Sequence, residues 1–461
     1  MSKAVFRTGW LWAPFTAFIA WGQLAPLTLS EAVQGALARY PSVQVSMEKV
    51  AAASAGVNLA RSSYLPRADF VGQLNRATHN NVFGQLLPQS VIPPLSGPVL
   101  GTNSSQSVWG TAVGSLVSWE PFDFGLRRAN VEAARAAGTR AALELNLTKL
   151  QVAAATADLF MTIAAAQQTV VAARAGVERA QVLDTILATL VKNELRPGAD
   201  ASRSRAEVAL AQNQQIQAEQ AREVARAELA AILGVAPETL AIEPGALLQG
   251  PSGSGPEVPV APAARHPLAL ALDAGVREVQ AREKALARSY YPRVFLEGAA
   301  FARGTGVGPD GRTGGIASGL APNTQNWALG ANITFPAFDW FSLRARQQIE
   351  VHNERAAAAS YAQTVQDLGG QMAKARAVLE GARRMAGNTP ILVQASRDAQ
   401  VQATARYRAG LASIAEVAEA QRLLTQAEID NSLAQLGVWR AMLGVASAQG
   451  DLTPFLAAVG K

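Results

Sequence analysis

An internal duplication constrains this chain more than any other feature of its sequence. The segment "ARYP" at Ala38–Pro41 recurs as "ARHP" at Ala264–Pro267, an offset of 267 − 41 = 226 residues. The phrase that ends in "PR" at Arg67 recurs with the same offset at Arg293. Three later landmarks keep their order in both halves: Asp123 and Asp339, Gly198 and Gly410, and "ILG" at 232–234 with "MLG" at 442–444. Such a repeat predicts two structural units of one design.

Each half is predicted to follow the order helix, strand, strand, helix. In the first half, Thr28 and Glu31 form a capping-box pattern that starts a helix. A second helix is expected to start near Pro41 and to end at Pro66, because the residue before a proline is pushed out of the α region. After two strands, the proline-free residues 122–196 are rich in good helix formers and predict a helix of roughly 100 Å.

The long helices carry apolar stripes with heptad-like spacing, which favours left-handed packing against neighbouring helices. The stripe of the first long helix comprises Leu143, Leu147, Leu150, Ala154, Ala157 and Met161. The stripe of the last helix comprises Ile429, Leu433, Leu436, Trp439 and Leu443. A second long helix is expected from about Trp340 to Arg406, where Pro390 should interrupt it with a kink.

Four segments alternate apolar and polar residues with the period of two that is typical of strands. They lie at about 67–76, 108–120, 293–303 and 326–336. In the second segment, Trp109 and Trp119 share one face, and a tilt of about 40° separates them by roughly 25 Å, the height of an outer-membrane apolar band. Four strands have open edges and cannot close a barrel alone. Several chains are therefore expected to share one barrel.

Composition changes along the chain predict its divisions. Residues 1–25 are predicted to be a signal peptide, because their apolar run is too short to span a membrane. The first repeat is assigned to 26–234, a Pro/Gly-rich linker to 235–265, the second repeat to 266–450 and a C-terminal tail to 451–461. No later stretch is expected to be long and apolar enough for a transmembrane helix.

Composition and motif spacing also argue against several function classes. The 461 residues include no Cys, which excludes disulfides and thiol chemistry. The net charge of +6 comes from scattered basic residues without the basic patch of nucleic-acid binders. His79, His266 and His352 lack metal-ligand spacing, and "GVGPDG" at 306–311 precedes a turn rather than the helix of a dinucleotide site. No enzymatic activity, catalytic residue, cofactor or metal site is therefore predicted.

Taken in order, these elements resemble the TolC-like outer-membrane efflux channel family. The resemblance covers nearly all of the chain after the signal and rests on "LTLSEAV" at 27–33, "SWEPFDFG" at 118–125, "YRAGLASIAEV" at 407–417 and the paired helix–proline–strand phrases. It implies an α plus transmembrane β-barrel fold. In the implied homotrimer, each subunit adds four strands to a shared 12-strand barrel on a long periplasmic α-helical barrel, with the linker in the equatorial region.

The same resemblance implies a function and partners. The chain would be the exit duct of a tripartite efflux or secretion system in the outer membrane of a Gram-negative-type cell. Its partners would be a periplasmic adaptor protein, an inner-membrane pump of the RND or ABC type, and outer-membrane lipid.

The resemblance further implies an entrance constriction at the periplasmic end. Glu416, Glu419 and Tyr407 match the positions that surround this entrance, and rings of carboxylates there would favour cations. The alternative is that both glutamates lie on a solvated helix exterior. Ala412 and Ser204 stand where some members carry charged residues, so the gating ion pairs of the family are not identified in this sequence, and Asp200, Arg203 and Arg205 are the nearby substitutes.

Two further sets of residues are implied. The helix–helix turns that meet the adaptor would contain Pro197, Gly198, Gly410 and Leu411. Both glycines are expected to end helices in left-handed conformations. The aromatic residues assigned to the membrane interfaces are Trp109, Trp119, Trp327 and Phe335.

Other functions stay open at this stage. A periplasmic coiled-coil adaptor would carry one hairpin with β-rich flanks rather than a duplicated unit. A surface-exposed structural protein would lack strands with aromatic ends. A type I duct for polypeptides would share the features of a drug-efflux duct, so the cargo, the pump and the adaptor are not identified.

Overall fold

The structure is a computed structural model that describes residues 26–78, 106–194, 197–251, 262–308, 310 and 312–460. The predicted signal peptide lies outside these residues. The helices are α1 (Leu29–Arg39), α2 (Pro41–Ser62), α3 (Leu126–Lys192), α4 (Gly198–Leu233), α5 (Pro267–Arg288), α6 (Trp340–Arg408), α7 (Ile414–Gln449) and α8 (Thr453–Val459). The strands are β1 (Arg67–Thr78), β2 (Ser107–Phe122), β3 (Arg293–Thr305) and β4 (Thr324–Thr334).

The two halves of the chain are built alike. Helices α2 and α5 have 22 residues each, α4 and α7 have 36 each, and α3 and α6 have 67 and 69. Tyr40 and His266 are the N-caps of α2 and α5. Both N-cap residues have an extended backbone, and a proline follows each of them as the first residue of the helix. The duplication predicted from the sequence is therefore present at the level of whole elements.

Helix ends differ in detail from the predictions. The capping box of Thr28 and Glu31 is formed, and α2 starts at Pro41 as predicted. Helix α2 ends at Ser62 rather than at Pro66, because a turn intervenes before β1. Helix α3 starts at Leu126 rather than at residue 122, because Phe122 is the last residue of β2.

Helix α6 runs without a break through Pro390, so the predicted interruption is wrong. A proline cannot donate a hydrogen bond to the carbonyl four residues earlier. The carbonyl oxygen of Ala386 accepts one instead from the side-chain amide of Gln435 on α7, at 3.3 Å. This contact replaces the backbone bond that the proline removes.

The four strands form one antiparallel sheet in the order β1–β2–β3–β4. Within the described part of the chain, the outer edges of β1 and β4 have no partner strand. One face of the sheet, termed the apolar face, exposes Phe70, Leu74, Val113, Val117, Trp119, Trp327, Leu329 and Ile333. The opposite face buries the smaller Ala112 and Ala299 and the carboxyl group of Glu297. A sheet with an exposed apolar face and two open edges cannot stand alone in water.

The main hydrophobic core lies around the middle of the long helices. Phe160 and Met161 of α3 pack there with Leu229 of α4, and Leu247 from the linker is fully buried among them. Phe455 of α8 is buried in the same core, so the predicted tail is partly a packed helix. The linker between the repeats and the segment after the second repeat therefore both contribute apolar side chains to this core.

One expectation about membrane helices needs correction. By length and composition, α3 contains an 18-residue window apolar enough to cross a membrane. Its mid-section packs against α1, α4 and α7, and 44% of that window is buried. A core helix of this kind passes the same test as a membrane span.

Candidate functional site

The two helix–helix turns lie at the end of the molecule farthest from the sheet. Gly410 joins α6 to α7 with a φ of 74°, the left-handed conformation predicted for it. Gly198 is instead the first residue of α4, and among the described residues of that turn Glu194 has a left-handed conformation, with a φ of 59°. Pro197 precedes the helix as its N-cap, so the turn starts α4 and does not need a glycine to end α3. The prediction for Gly198 was therefore wrong in its conformation.

A small apolar cluster holds the turns together. Tyr407 is only 4% exposed and packs with Leu187, Ile414 and Val417. Its hydroxyl donates a hydrogen bond to the Asp200 carboxylate at 3.1 Å, which links α6 to α4. In the single chain, Tyr407 therefore supports the turns from inside and is not available to line an entrance.

The two predicted carboxylates are exposed on the first turns of α7. Glu416 closes a capping box with Ser413, in which its carboxylate accepts the Ser413 N–H at 3.2 Å. Glu419 forms an ion pair with Arg422 on the same helix. Both side chains are exposed in the single chain. This exposure is compatible with a carboxylate ring at the entrance and with a solvated helix exterior.

The residues that depart from the family pattern have local partners. Ser204 is buried and donates a hydrogen bond to Asp184 of α3. Ala412 packs at the edge of the Tyr407 cluster. A hydroxyl–carboxylate hydrogen bond at Ser204 and an apolar contact at Ala412 therefore stand at the two positions where charged residues were considered.

The register of the sheet locates the four aromatic residues assigned to the interfaces. Trp119 lies near the helical end of β2 and Phe335 directly follows β4, whereas Trp109 lies near the opposite end of β2. Trp327 is 77% exposed. It pairs with Ala300 on β3, and Ala300 pairs in turn with Ser115 in the middle of β2. Trp327 therefore lies between the ends of the apolar face rather than at either end.

The junction between the sheet and the helices carries a polar cluster that sequence reasoning missed. Asp123 accepts hydrogen bonds from the backbone N–H groups of Gly125 and Arg127, and its carboxylate pairs with the Arg127 guanidinium at 2.9 Å. The Arg127 guanidinium lies over the Tyr64 ring, and Trp119 Nε1 donates to the Tyr64 carbonyl at 3.1 Å. The spacing of four between Asp123 and Arg127 was the signal that could have predicted this pair.

Burial and hydrogen bonding act in opposite directions on Asp123. Burial alone would raise the pKa of its carboxyl group. The hydrogen bonds from Arg127 and Gly125, with the positive charge of Arg127, outweigh burial and hold that pKa below its usual range. Asp123 is therefore an ionised cap at the start of α3.

No metal centre is found in the part of the chain that the structure describes. There, no group of three or more His, Asp or Glu side chains is positioned to hold a metal ion. The candidate functional regions are therefore the two helix–helix turns and the sheet.

Comparisons with known proteins agree on the architecture. Residues 32–235 and 262–451 match the family described as outer membrane efflux protein. The chain is 25% identical over 446 residues to protein CyaE of Bordetella pertussis, covering 93% of this chain and 85% of CyaE. The outer membrane protein VceC of Vibrio cholerae superposes with a TM-score of 0.72 at 18% identity, covering 92% of this chain and 96% of VceC. The CmeC outer membrane channel of Campylobacter jejuni superposes with a TM-score of 0.73 at 16% identity, covering 92% and 85%.

Proposed function

Because the chain belongs to the outer membrane efflux protein family, we propose that three copies close one 12-strand barrel through the open edges of β1 and β4. The protein is an outer-membrane exit duct for efflux or secretion, with its helices in the periplasm. The single observation that carries the proposed assembly is a four-stranded sheet with two unpaired edges and an exposed apolar face. Closure through neighbouring copies satisfies both edges and turns the apolar face to lipid.

The helix turns are proposed as the periplasmic entrance. Three copies would bring three pairs of Glu416 and Glu419 around one axis, and a ring of carboxylates favours cations. The capping box fixes the backbone of this segment, so the two charges would form two rings about 4.5 Å apart along the helix axis. Conduction is the proposed activity, and no enzymatic step is part of it.

A charge-neutral variant tests the entrance without disturbing the fold. Glu416→Gln keeps the capping box with Ser413, because glutamine fits the same position. The double variant Glu416→Gln/Glu419→Gln is expected to lower the preference for cations in single-channel recordings in planar bilayers. The control Glu223→Gln/Glu228→Gln removes the same charge from exposed positions on α4 far from the turn. Unchanged cation preference in the entrance variant would reject the proposed ring.

The turns are also proposed as the docking site of a periplasmic adaptor. Pro197 and Gly198 are exposed, and Leu411 is an exposed apolar residue at the second turn. A side chain added at Gly198 would meet no described atom within 4 Å, whereas Gly410 needs its left-handed backbone. Gly198→Trp is therefore the cleaner test, and we expect it to abolish co-purification of the adaptor from native cells. Gly138→Trp on α3, where there is equal space, is the matched control. Undiminished co-purification with Gly198→Trp would count against docking at this turn.

A further inference from the structure

An open cavity of about 790 Å³ lies where the sheet meets the helices. Its walls come from the end of β2 and the start of α3 on one side, and from the last turns of α5 with Tyr291 on the other. These segments adjoin β2 and β3, the inner strands of the sheet. The edges that the proposed trimer pairs are β1 and β4, and on that side of the cavity only Tyr64, which precedes β1, contributes to the lining.

The aromatic wall of the cavity continues the apolar face. Trp119 pairs with Leu296 and Phe122 with Val294, so the bulge between them leaves Phe122 on the same face as Trp119. The Phe122 and Phe124 rings meet edge to face at 4.9 Å, and Phe124 stacks on Tyr291 at 5.9 Å. The cavity therefore opens below the lipid-facing band, at the level where aromatic side chains meet lipid headgroups.

Two of the cations around the cavity lack a carboxylate partner among the described residues. Two cations of the α3 wall have carboxylate partners at 2.9 and 3.1 Å: Arg127 with Asp123, and Arg128 with Glu132. Lys284 and Arg288 of the α5 wall are exposed and form no ion pair with a described residue, and the Arg288 guanidinium lies over the Tyr291 ring at 5.5 Å. They are four residues apart, so they lie on one face of α5 and project into the same space.

Phe124 has an uncommon backbone conformation for its residue type. Its φ is 49°, in the left-handed region that large side chains rarely adopt, and 44% of the residue is exposed. Strain of this kind persists only where the surroundings over-determine it, and it clusters at ligand sites. Here it holds an apolar ring at the mouth of the cavity.

We infer that this cavity binds an anionic phospholipid of the inner leaflet of the outer membrane. Lys284 and Arg288 would hold the phosphate of the headgroup, because basic pockets at a membrane surface attract anionic lipids. The acyl chains would leave along Phe122 and Phe124 onto the apolar face. The inference rests on the placement of the strands in the outer membrane, and it assigns one lipid to each subunit.

Native mass spectrometry of the purified protein in detergent tests the assignment, with dioleoyl phosphatidylglycerol as the probe. The expected result is a trimer with up to three bound lipids and weaker binding of dioleoyl phosphatidylcholine. Lys284→Gln/Arg288→Gln should weaken phosphatidylglycerol binding about 30-fold, as expected for two cations at a membrane surface. The control Arg344→Gln/Arg346→Gln removes two exposed cations from the start of α6, next to the sheet but outside the cavity, and should leave binding unchanged.

A second variant separates the lipid site from folding. Phe124→Asn removes the ring but suits the left-handed backbone, so it should keep the trimer and weaken lipid binding. Equal losses in the cavity and control variants, or full binding by Lys284→Gln/Arg288→Gln, would overturn the inference. Displacement of the lipid by inorganic phosphate would also overturn it, in favour of a free-anion site. A monomer that keeps the lipid preference would contradict the trimer and leave the lipid site standing.

Discussion

Removing the Asp123 carboxylate is expected to destabilise the subunit by about 3–5 kcal/mol, because it leaves a buried guanidinium without its counter-charge. The side chains of Asp123 and Arg127 are only 9% and 7% exposed, and their charged atoms lie 2.9 Å apart. Asp123 also accepts two backbone N–H groups at the start of α3, and loss of such a cap costs about 1 kcal/mol. The measurement compares the unfolding of the wild-type protein and the Asp123→Ala variant in detergent by guanidinium chloride. Unfolding is monitored by the helical circular dichroism signal.

An exposed pair on the same helix provides the control. Arg174 and Glu178 have the same spacing of four, but their side chains are 73% and 65% exposed. Glu178→Ala should therefore cost no more than about 0.5 kcal/mol. A double-mutant cycle of Asp123→Ala with Arg127→Met isolates the pair itself, with an expected coupling of about 2 kcal/mol. Equal small losses for Asp123→Ala and Glu178→Ala would refute the reasoning from burial.

The same pair has a defined dependence on pH. Because the folded protein holds the pKa of Asp123 below its usual value of about 4, the unfolded chain takes up the proton first as the pH falls. The stabilisation is thus present above about pH 4 and is lost as the pH falls through the lower pKa of the folded state. The difference between the wild-type protein and Asp123→Ala should shrink in acid, and a difference that grows would contradict the assignment.

Three further changes test other parts of the structure by the same unfolding assay. Burial lowers the pKa of His266, and the hydrogen bond to the Ser447 carbonyl only partly opposes this shift. The unfolded chain therefore takes up the proton first, and the stability that His266 contributes should fall as the pH drops below about 6.5. The variant His266→Asn, which can still cap α5, should show a smaller loss of stability over the same pH range. Gly450→Ala should destabilise by at least about 1 kcal/mol, because φ is 83° and a Cβ atom would lie 2.9 Å from His266 Cδ2. Tyr407→Phe should cost about 1 kcal/mol by removing the hydrogen bond to Asp200 while the ring stays buried, and an unchanged midpoint would show that this bond adds nothing.

The duplicated architecture could be predicted because local patterns repeat it. Proline and turn residues recur in the same order in both halves, and the strands alternate with a period of two that β2 keeps between Trp109 and Trp119. The capping box at Thr28 is equally local and formed as predicted. Signals of this kind need only neighbouring residues, so a single sequence contains them in full.

What could not be predicted depends on contacts between distant segments. The interruption expected at Pro390 did not allow for Gln435, which lies 45 residues later (435 − 390) on another helix. Trp327 was assigned to a membrane interface, but its position along the sheet depends on a register that only pairing with β3 defines. The packing of Phe455 into the core likewise needs helices from both halves.

The candidate sites show the same division. The turns at Gly198 and Gly410 could be located from the resemblance, yet Gly198 begins α4 and does not end α3 in a left-handed conformation. The cavity at the sheet junction joins Phe124 to Lys284, which are 160 residues apart (284 − 124), so no local motif announces it.

Disulfide cross-linking between the sheet edges tests the central claim most directly, because the chain contains no Cys of its own. Within one chain, β1 and β4 are separated by two strands, or about 14 Å, which is too far for a disulfide. Any bond between Ala68→Cys and a cysteine scanned over Trp327, Leu329, Ala331 and Ile333 must therefore join two copies. The shared barrel predicts a covalent trimer on a non-reducing denaturing gel for at least one of these pairs. Monomers alone for every pair, from protein recovered in the outer membrane, would contradict it.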